Sequence, residues 1–494
     1  MSEFKRQHPV AAISRVVDLI RGNLITIIII LVFGASGTGT PSFHWVFVAL
    51  MVFLLVAGVA GWWRFVYRVE KGELQIKQGI MVRRNLYLTR DRVQVIDVTA
   101  GLVQRLFGLV KVEIKTAGSS SREASLSAIT RREADYLTRL LRNNGELQPG
   151  MEDIAEKAEG QTQQEQRYAL PGKDLLIAAS TSGSFGIALS IIATIFSQIE
   201  PLLDESAVGD WLIQVLPSEA DTFFIVTVIL IFVVFAWLMS FFGTLIRYGD
   251  FTLTVKKDEL VVRRGIFEKK RITVPFNRIQ ALRIVEGTMR QPLGYAMLHV
   301  ESAGYGDHQD SGSVVVFPLI KKSRVNDFLE KVIPDYKFTV NSVKPPKRAL
   351  TRYIIRSSAV LAIVLMFFYW LLGSPGWIWF FMIPGIFWGW LRHRDAAVSI
   401  QPEKMVLQSR VLARTTAVVR RNRAQDATKS ASWIQKFRKL ANLEVSVASG
   451  DQGRSFQVRE LEEADAEELL PWITREYVKN EVVWDIVDRP LKEW

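Results

Sequence analysis

Three stretches of this chain contain no lysine or arginine: residues 22–63, 174–246 and 357–391. In a sequence of 494 residues with 62 basic side chains, gaps of that length are a strong constraint. A helix crossing a hydrocarbon core of about 30 Å takes about 20 apolar residues, so each window holds two. Each also contains one break: "GASGTGTPS" (Gly34–Ser42), "SQIEPLLDESAVGDWLIQVLPSEAD" (Ser197–Asp221) and "GSPG" (Gly373–Gly376). The pattern predicts six spans in three pairs, at 17–34, 43–63, 174–197, 222–245, 354–372 and 376–391. A mean hydropathy of +0.15 alongside 23% charged residues fits apolar blocks alternating with soluble ones.

The basic start and the run "LITIIIILVFG" also fit a signal peptide, but a second apolar segment follows after a short gap, as in a helical hairpin. The intra-pair connections carry no Lys or Arg, and the longest carries six acids: Glu200, Asp204, Glu205, Asp210, Glu219 and Asp221. The positive-inside rule then puts both termini and the large inter-pair segments in the cytoplasm, with the protein multi-pass in the cell membrane. The absence of cysteine excludes disulfides and thiolate chemistry.

A four-letter pattern occurs after each pair: "DRVQ" at Asp91–Gln94, "NRIQ" at Asn277–Gln280 and "NRAQ" at Asn422–Gln425. Thirteen residues before the arginine stand Gly79, Gly265 and Arg410; Gly108 and Gly118 follow Arg92 at the spacing at which Gly294 and Gly304 follow Arg278. The third copy reaches Gly450 one residue late. A register kept this well marks internal repeats. Each repeat alternates apolar and polar residues, as in "FTLTVKKDELVVRRG" (Phe251–Gly265), and closes with an amphipathic segment: Arg131–Asn144, Lys321–Pro334 and Glu462–Glu476. Strand runs followed by one helix predict a small sandwich or barrel capped by a C-terminal helix.

A helix pair followed by a β-rich unit with Gly-13-Arg-x-Gln and a late Ser/Ala-Gly resembles bacterial pleckstrin-homology (PH)-like membrane proteins, and three copies resemble the three-repeat YdbT type of that family. The resemblance implies a multi-pass α-helical membrane protein with three cytoplasmic PH-like domains. The expected organisation is a helix pair at 17–63, domain 1 at 64–145, a polar linker at 146–173, a helix pair at 174–246, domain 2 at 247–336, a helix pair at 354–391 and domain 3 at 392–478.

For an enzyme the chain offers little. The five histidines (His8, His44, His299, His308, His393) lack the i, i+4 spacing of a zinc helix, and no phosphate loop or nucleophile elbow occurs. No cofactor and no catalytic or metal residue is expected. Asp18, Arg21, Arg352 and Arg356 stand at span ends, where such side chains reach the headgroups rather than relay protons.

Two sets of candidate residues follow. On a strand, i and i+2 share a face, so Arg92/Gln94, Arg278/Gln280 and Arg423/Gln425 form either a repeated docking surface for an anion or carboxylate, or a structural arginine holding a turn; repetition favours the structural role. The basic clusters Arg83–Arg84, Arg263–Arg264 with Lys269, Lys270 and Arg271, and Arg420–Arg421 occupy related regions and face anionic lipid or simply follow the positive-inside bias. The first hairpin turns ("EKGE", "KKDE", "QPEK") mix charges where phosphoinositide-binding PH domains are strongly basic. The expected function is a non-catalytic membrane scaffold, in envelope maintenance or tolerance of membrane-active compounds, the alternative being a lipid or peptide exporter. Its expected partners are membrane lipids and a protein, such as a shorter one-repeat member of the family, and not nucleic acid.

Overall fold

The computed structural model describes residues 4–23, 26–27, 42–70, 73–79, 82–89, 93–116, 124–142, 166–183, 185–186, 188–190, 222–303, 312–339, 342–371, 376–450 and 453–473. It divides into two compact units, Met1–Val274 and Pro275–Trp494, with the division inside the second repeat.

In the first unit β1 (Lys5–Arg6) precedes the first helix pair and lies on the meander β2 (Val66–Glu70), β3 (Glu73–Gln78) and β4 (Arg84–Thr89). A second meander follows: β5 (Val93–Ala100), β6 (Leu109–Thr116) and β7 (Ala124–Thr130). Period-2 alternation turns Leu74, Ile76 and Leu88 of the first sheet toward Val112, Ile114 and Leu126 of the second; the closing helix Arg131–Arg142 adds Ala134, Leu137 and Leu141. This is the expected helix-capped sandwich.

The expected linker at 146–173 ends differently. Gln166–Ala169 is a strand, β8, which pairs with β9 (Thr252–Val255), ahead of β10 (Glu259–Arg264) and β11 (Lys269–Pro275). β1 covers the outer edge of β2 in the same way, and in the second unit Val343 bridges Val398. The first two modules therefore start with a short strand, and the third with a single bridge, before their apolar segments, each covering part of an edge otherwise open to stray pairing.

The sheets do not stop at repeat boundaries. β11 pairs antiparallel with β5, so one seven-stranded sheet runs β7-β6-β5-β11-β10-β9-β8. The second unit repeats the arrangement with β12 (Ile279–Glu286), β13 (Tyr295–Ser302) and β14 (Ser313–Lys321), then β15 (Ala397–Gln401), β16 (Lys404–Arg410) and β17 (Arg414–Arg420). Here β17 pairs with β12 in a six-stranded sheet, β14-β13-β12-β17-β16-β15. The last meander, β18 (Ala424–Ser430), β19 (Leu440–Val447) and β20 (Arg454–Glu462), stands as three strands. Its core joins Met405 and Leu407 to Leu443, Val445 and Val458 under Leu469 and Trp472. The closing helix, expected to Glu476, is α-helical over Glu463–Leu469 and passes into a 3₁₀ turn, Leu470–Ile473, where Pro471 cannot continue the ladder; residues 474–476 lie outside the described residues. In the second repeat α-helix covers only Val325–Val332, ending before Pro334.

Three described helices are long and apolar enough to cross a membrane: Trp45–Trp63, Val226–Tyr248 and Lys347–Phe367. Six spans are not seen as six such helices. The first begins earlier than expected, as helix Val10–Gly22, and residues 28–41 lie outside the described residues. The third is helix over Gly172–Ser180, breaks at 181–183 in its Ser/Thr/Gly-rich segment, and is helical again at 185–186 and 188–190. At the break the Ser180 carbonyl accepts from Trp237 Nε1 at 3.2 Å, the kind of side-chain bond that lets a helix be interrupted in apolar surroundings. In the third pair Gly376–Phe381 is a 3₁₀ segment leading into helix Met382–Asp395, where Pro384 sits in the first turn, a position that tolerates its missing N–H.

Candidate functional site at the membrane end of the sheets

In the first unit the helix Thr222–Tyr248 runs almost directly into β9, and the β10–β11 turn folds back onto the helix end. Gly265 N donates to Gly249 O at 2.8 Å and Ile266 N to Ile246 O at 3.0 Å. Gly265 has φ +104, and a Cβ there would stand 2.0 Å from the Glu268 carbonyl oxygen; Gly79 repeats this at φ +110. The two glycines of the repeat register are therefore turn requirements. The short helix Leu102–Leu106 is tied to the same turn by Arg105, whose Nη1 donates to Ile266 O at 2.7 Å.

Around this helix end the side chains are apolar and exposed: Leu102, Phe107, Ile266, Phe267 and Leu106, the last 82% accessible. The third repeat places Val411 and Leu412 on the equivalent turn, held by Trp388 Nε1 donating to Val411 O at 2.9 Å. Its short helix presents Trp433 (81% exposed) and Phe437 (90%), and the second repeat presents Met289 and Leu293. Apolar side chains exposed beside a spanning helix end are suited to the bilayer interface.

Behind the rim of the first unit is a cavity of about 570 Å³ between β5–β6, the helix Arg131–Arg142 and β9–β11. Arg263, Arg264, Lys269, Lys270 and Arg271 line it, with Arg105, Arg131 and Arg167; Asp135 and Asp250 oppose them. Lys269 Nζ lies 3.3 Å from Asp250 Oδ2. Cations outnumber acids on its lining, so its potential is positive, and the five basic residues singled out in the middle repeat converge there.

The other candidates fall elsewhere. Arg83 and Arg84 are exposed at the start of β4. Arg420 and Arg421 do not share the related region expected of them: they lie at the opposite end of β17 from its membrane-proximal turn, about 20 Å away at 3.3 Å per residue. There Arg420 pairs with Asp335, and Arg421 N donates to Glu403 O.

The Arg-x-Gln motif departs from its strand premise. Arg278 and Arg423 end 3₁₀ turns, Phe276–Arg278 and Arg421–Arg423, and the strand begins after them. The register then shifts between Ile279 and Ala281, between Ala424 and Asp426, and between Val93 and Val95, so Gln280, Gln425 and Gln94 are the extra residues of a β-bulge in all three repeats. Gln280 Nε2 donates to Arg278 O at 3.1 Å, while Gln425 is exposed. Arg92 and the Gln94 side chain lie outside the described residues. Turn plus bulge bends the chain from one sheet into the next.

Sequence reasoning also missed two buried charge clusters. Arg410, which replaces the repeat glycine, has no positive φ and is buried; its Nε donates to Asp395 Oδ2 at 2.5 Å at the end of helix Met382–Asp395. Arg414 pairs with Glu286 across the β12–β17 junction and reaches Asp395 Oδ1 at 3.5 Å. Burial pulls the Arg414 guanidinium down, but Glu286 and Asp395 outweigh it and the net shift is upward. Arg352 and Arg356 do not reach for headgroups: they meet the fully buried Glu460 at 2.9 and 3.0 Å. The exchange of Gly for Arg in the repeat register was the only sign of the first cluster in the sequence.

The geometry of three sheet-and-turn modules on membrane helices agrees with the comparisons. A family model described as Bacterial PH domain matches residues 24–145, 211–335 and 348–477. The chain belongs to the bacterial PH domain family. It is 34% identical to "UPF0699 transmembrane protein YdbT" of Bacillus subtilis (strain 168) over 96% of this chain and 99% of that one. No solved structure matches. The chain is thus a YdbT-like transmembrane protein carrying three bacterial PH domains, and neither description names an enzymatic activity. Among the described residues no group of three His, Asp or Glu side chains could hold a metal.

Proposed function

We propose that the chain is a non-catalytic membrane scaffold that holds its three bacterial PH domains against the cytoplasmic leaflet, with an anionic lipid headgroup in the cationic cavity of the first unit. The cavity's position carries this reading: it opens beside a spanning helix end, behind exposed apolar side chains. Each Lys or Arg close to an anionic leaflet contributes about 1 kcal/mol. The helices already anchor the protein, so these charges set the orientation of the sheets rather than recruit them. Envelope maintenance is the physiological setting that fits such a scaffold.

The test is hydrogen exchange on the full chain in nanodiscs. With phosphatidylglycerol present, amides of Arg263–Arg271 are expected to exchange more slowly than in pure phosphatidylcholine, and Lys270→Glu with Arg271→Glu should remove the difference. Equal exchange in both lipids would overturn the headgroup reading. The chain lacks cysteine, so single cysteines at 105, 267 and 437 report sidedness directly. Labelling from outside intact cells would overturn the cytoplasmic placement.

A further inference from the structure

The two inter-repeat junctions obey one rule. In the first unit Ala100, Thr99 and Val98 of β5 face Lys269, Lys270 and Arg271 of β11. In the second, Glu286, Val285 and Ile284 of β12 face Arg414, Thr415 and Thr416 of β17. Counted from the repeat arginines Arg92, Arg278 and Arg423, these are the same positions in both: the same strand of the meander, the same partner and the same register. The fourth strand of one repeat always receives the third strand of the next.

A head-to-tail rule leaves one of each edge over. β4 is the third strand of the first repeat and has no preceding fourth strand; β18 is the fourth strand of the last and has no following third strand. Among the described residues neither has a strand on its outer side, and both end their sheets. The edge devices they carry do not forbid pairing: Arg84 opens β4, and β18 has Lys429 and the bulge at Gln425, a bulge that β5 and β12 share while pairing with the next repeat. β4 ("RNLYLT") contains no Pro, Gly or Lys, and its Tyr87 is 58% exposed. β18 ("AQDATKS") contains no Pro or Gly, and most of it is accessible.

We propose that β18 of one copy of this chain pairs with β4 of a second copy, continuing the internal junction between molecules. This goes beyond the scaffold reading and does not rest on the cationic cavity. The internal register places Arg83 opposite Ala431, Arg84 opposite Ser430 and Asn85 opposite Lys429, and the longer second junction extends this to Leu86 with Thr428 and Tyr87 with Ala427. The contact is heterologous, so copies assemble into a ring if the rotation closes and into a row if it does not. Both internal junctions join modules that share one bilayer, so a third built by the same rule keeps its helices in that bilayer. One strand pair is a weak contact in solution, but confinement to the membrane raises the effective concentration of its partners.

The cysteine-free background allows a direct test. Full-length chains carrying Arg84→Cys and one tag are co-expressed with chains carrying Ser430→Cys and another, and membranes are oxidised with copper phenanthroline. Opposed residues in an antiparallel pair have Cα atoms about 4.5–5.5 Å apart, within disulfide range. A mixed dimer bearing both tags is expected. Replacing Ser430→Cys with Lys429→Cys turns the thiol to the other face of the sheet, and the yield should fall at least tenfold. No mixed dimer, equal yields from the two combinations, or a crosslink found only when both cysteines are in one chain would overturn the proposal. The nanodisc lipid experiment is indifferent to this outcome, so either reading can fail alone.

Discussion

Replacing Asp395 by alanine tests the buried charge cluster that fastens helix Met382–Asp395 to the third PH domain. The Arg410 side chain is 1% exposed and that of Asp395 4%, so neither is compensated by water. Breaking one side of a buried pair costs about 3–5 kcal/mol, because the remaining charge stays desolvated. Arg410 would keep Gln291, the Leu412 carbonyl and the Trp388 ring at 5.5 Å, which argues for the lower end, about 3 kcal/mol. That is roughly a hundredfold in an opening equilibrium. Hydrogen exchange of β16 and β17 in nanodiscs should therefore accelerate about a hundredfold on Asp395→Ala. The pair Asp395→Leu with Arg410→Met, which removes both charges and keeps apolar volume, should return exchange to within about tenfold of the parent. If Asp395→Ala leaves exchange unchanged, or the double variant is as open as the single one, the cluster does not hold this junction.

Gly265→Ala is expected to open the β10–β11 turn, with about 1–3 kcal/mol of backbone strain added to a collision with the Glu268 carbonyl; trypsin cleavage at Arg263–Lys270 reads this out, and Gly294→Ala, at φ +70 with open space around it, should be far milder. Trp472, fully buried with Nε1 donating to Gln401 O at 3.1 Å, should cost about 3–5 kcal/mol as alanine, measured by urea-dependent proteolysis of the third domain. Burial, aided by the bond to Glu133, raises the Tyr67 hydroxyl well above its ordinary value. The folded chain then keeps a proton that the unfolded chain loses from about pH 10 upward, so this stabilises folding least at high pH, where the folded state must hold the proton against the gradient. Tyr67→Phe is expected to flatten the alkaline fall in first-domain stability; an unchanged alkaline limb would refute the assignment.

Much of the fold was legible because its signals are local. Windows free of Lys and Arg, strand alternation and the recurring arginine are all read along the chain, without knowing what packs on what. Strand starts confirm that register: β6, β13 and β19 begin at Leu109, Tyr295 and Leu440, separated as Arg92, Arg278 and Arg423 are. What was not legible depends on partners distant in sequence. Nothing near Lys269 says that it faces Ala100, and nothing near Glu460 says that two helix arginines converge on it. The motif Arg-x-Gln was seen but misread, because a 3₁₀ turn and a one-residue bulge alter which side chains share a face while leaving the spacing intact. Basic residues were grouped by adjacency in the chain, which joined Arg420 to a region at the other end of its own strand.

The shared sheets change what counts as the repeating unit. By sequence a repeat runs from its helix pair to its closing helix. By hydrogen bonding the continuous sheets run from the second meander of one repeat into the first meander of the next, across an intervening pair of apolar segments. β5 is therefore synthesised well before the strand that covers its outer edge, and β12 likewise waits for β17. An uncovered strand of this kind invites wrong pairing in a diffusing protein. Here each exposed edge is fixed to the bilayer by its own helices, so its approach to other strands is confined to two dimensions. The correct partner then arrives on the same chain, carried by the next membrane-anchored repeat. Membrane anchoring thus permits an edge-to-edge architecture that a soluble chain would have to guard against, and the two terminal edges are what that architecture leaves available.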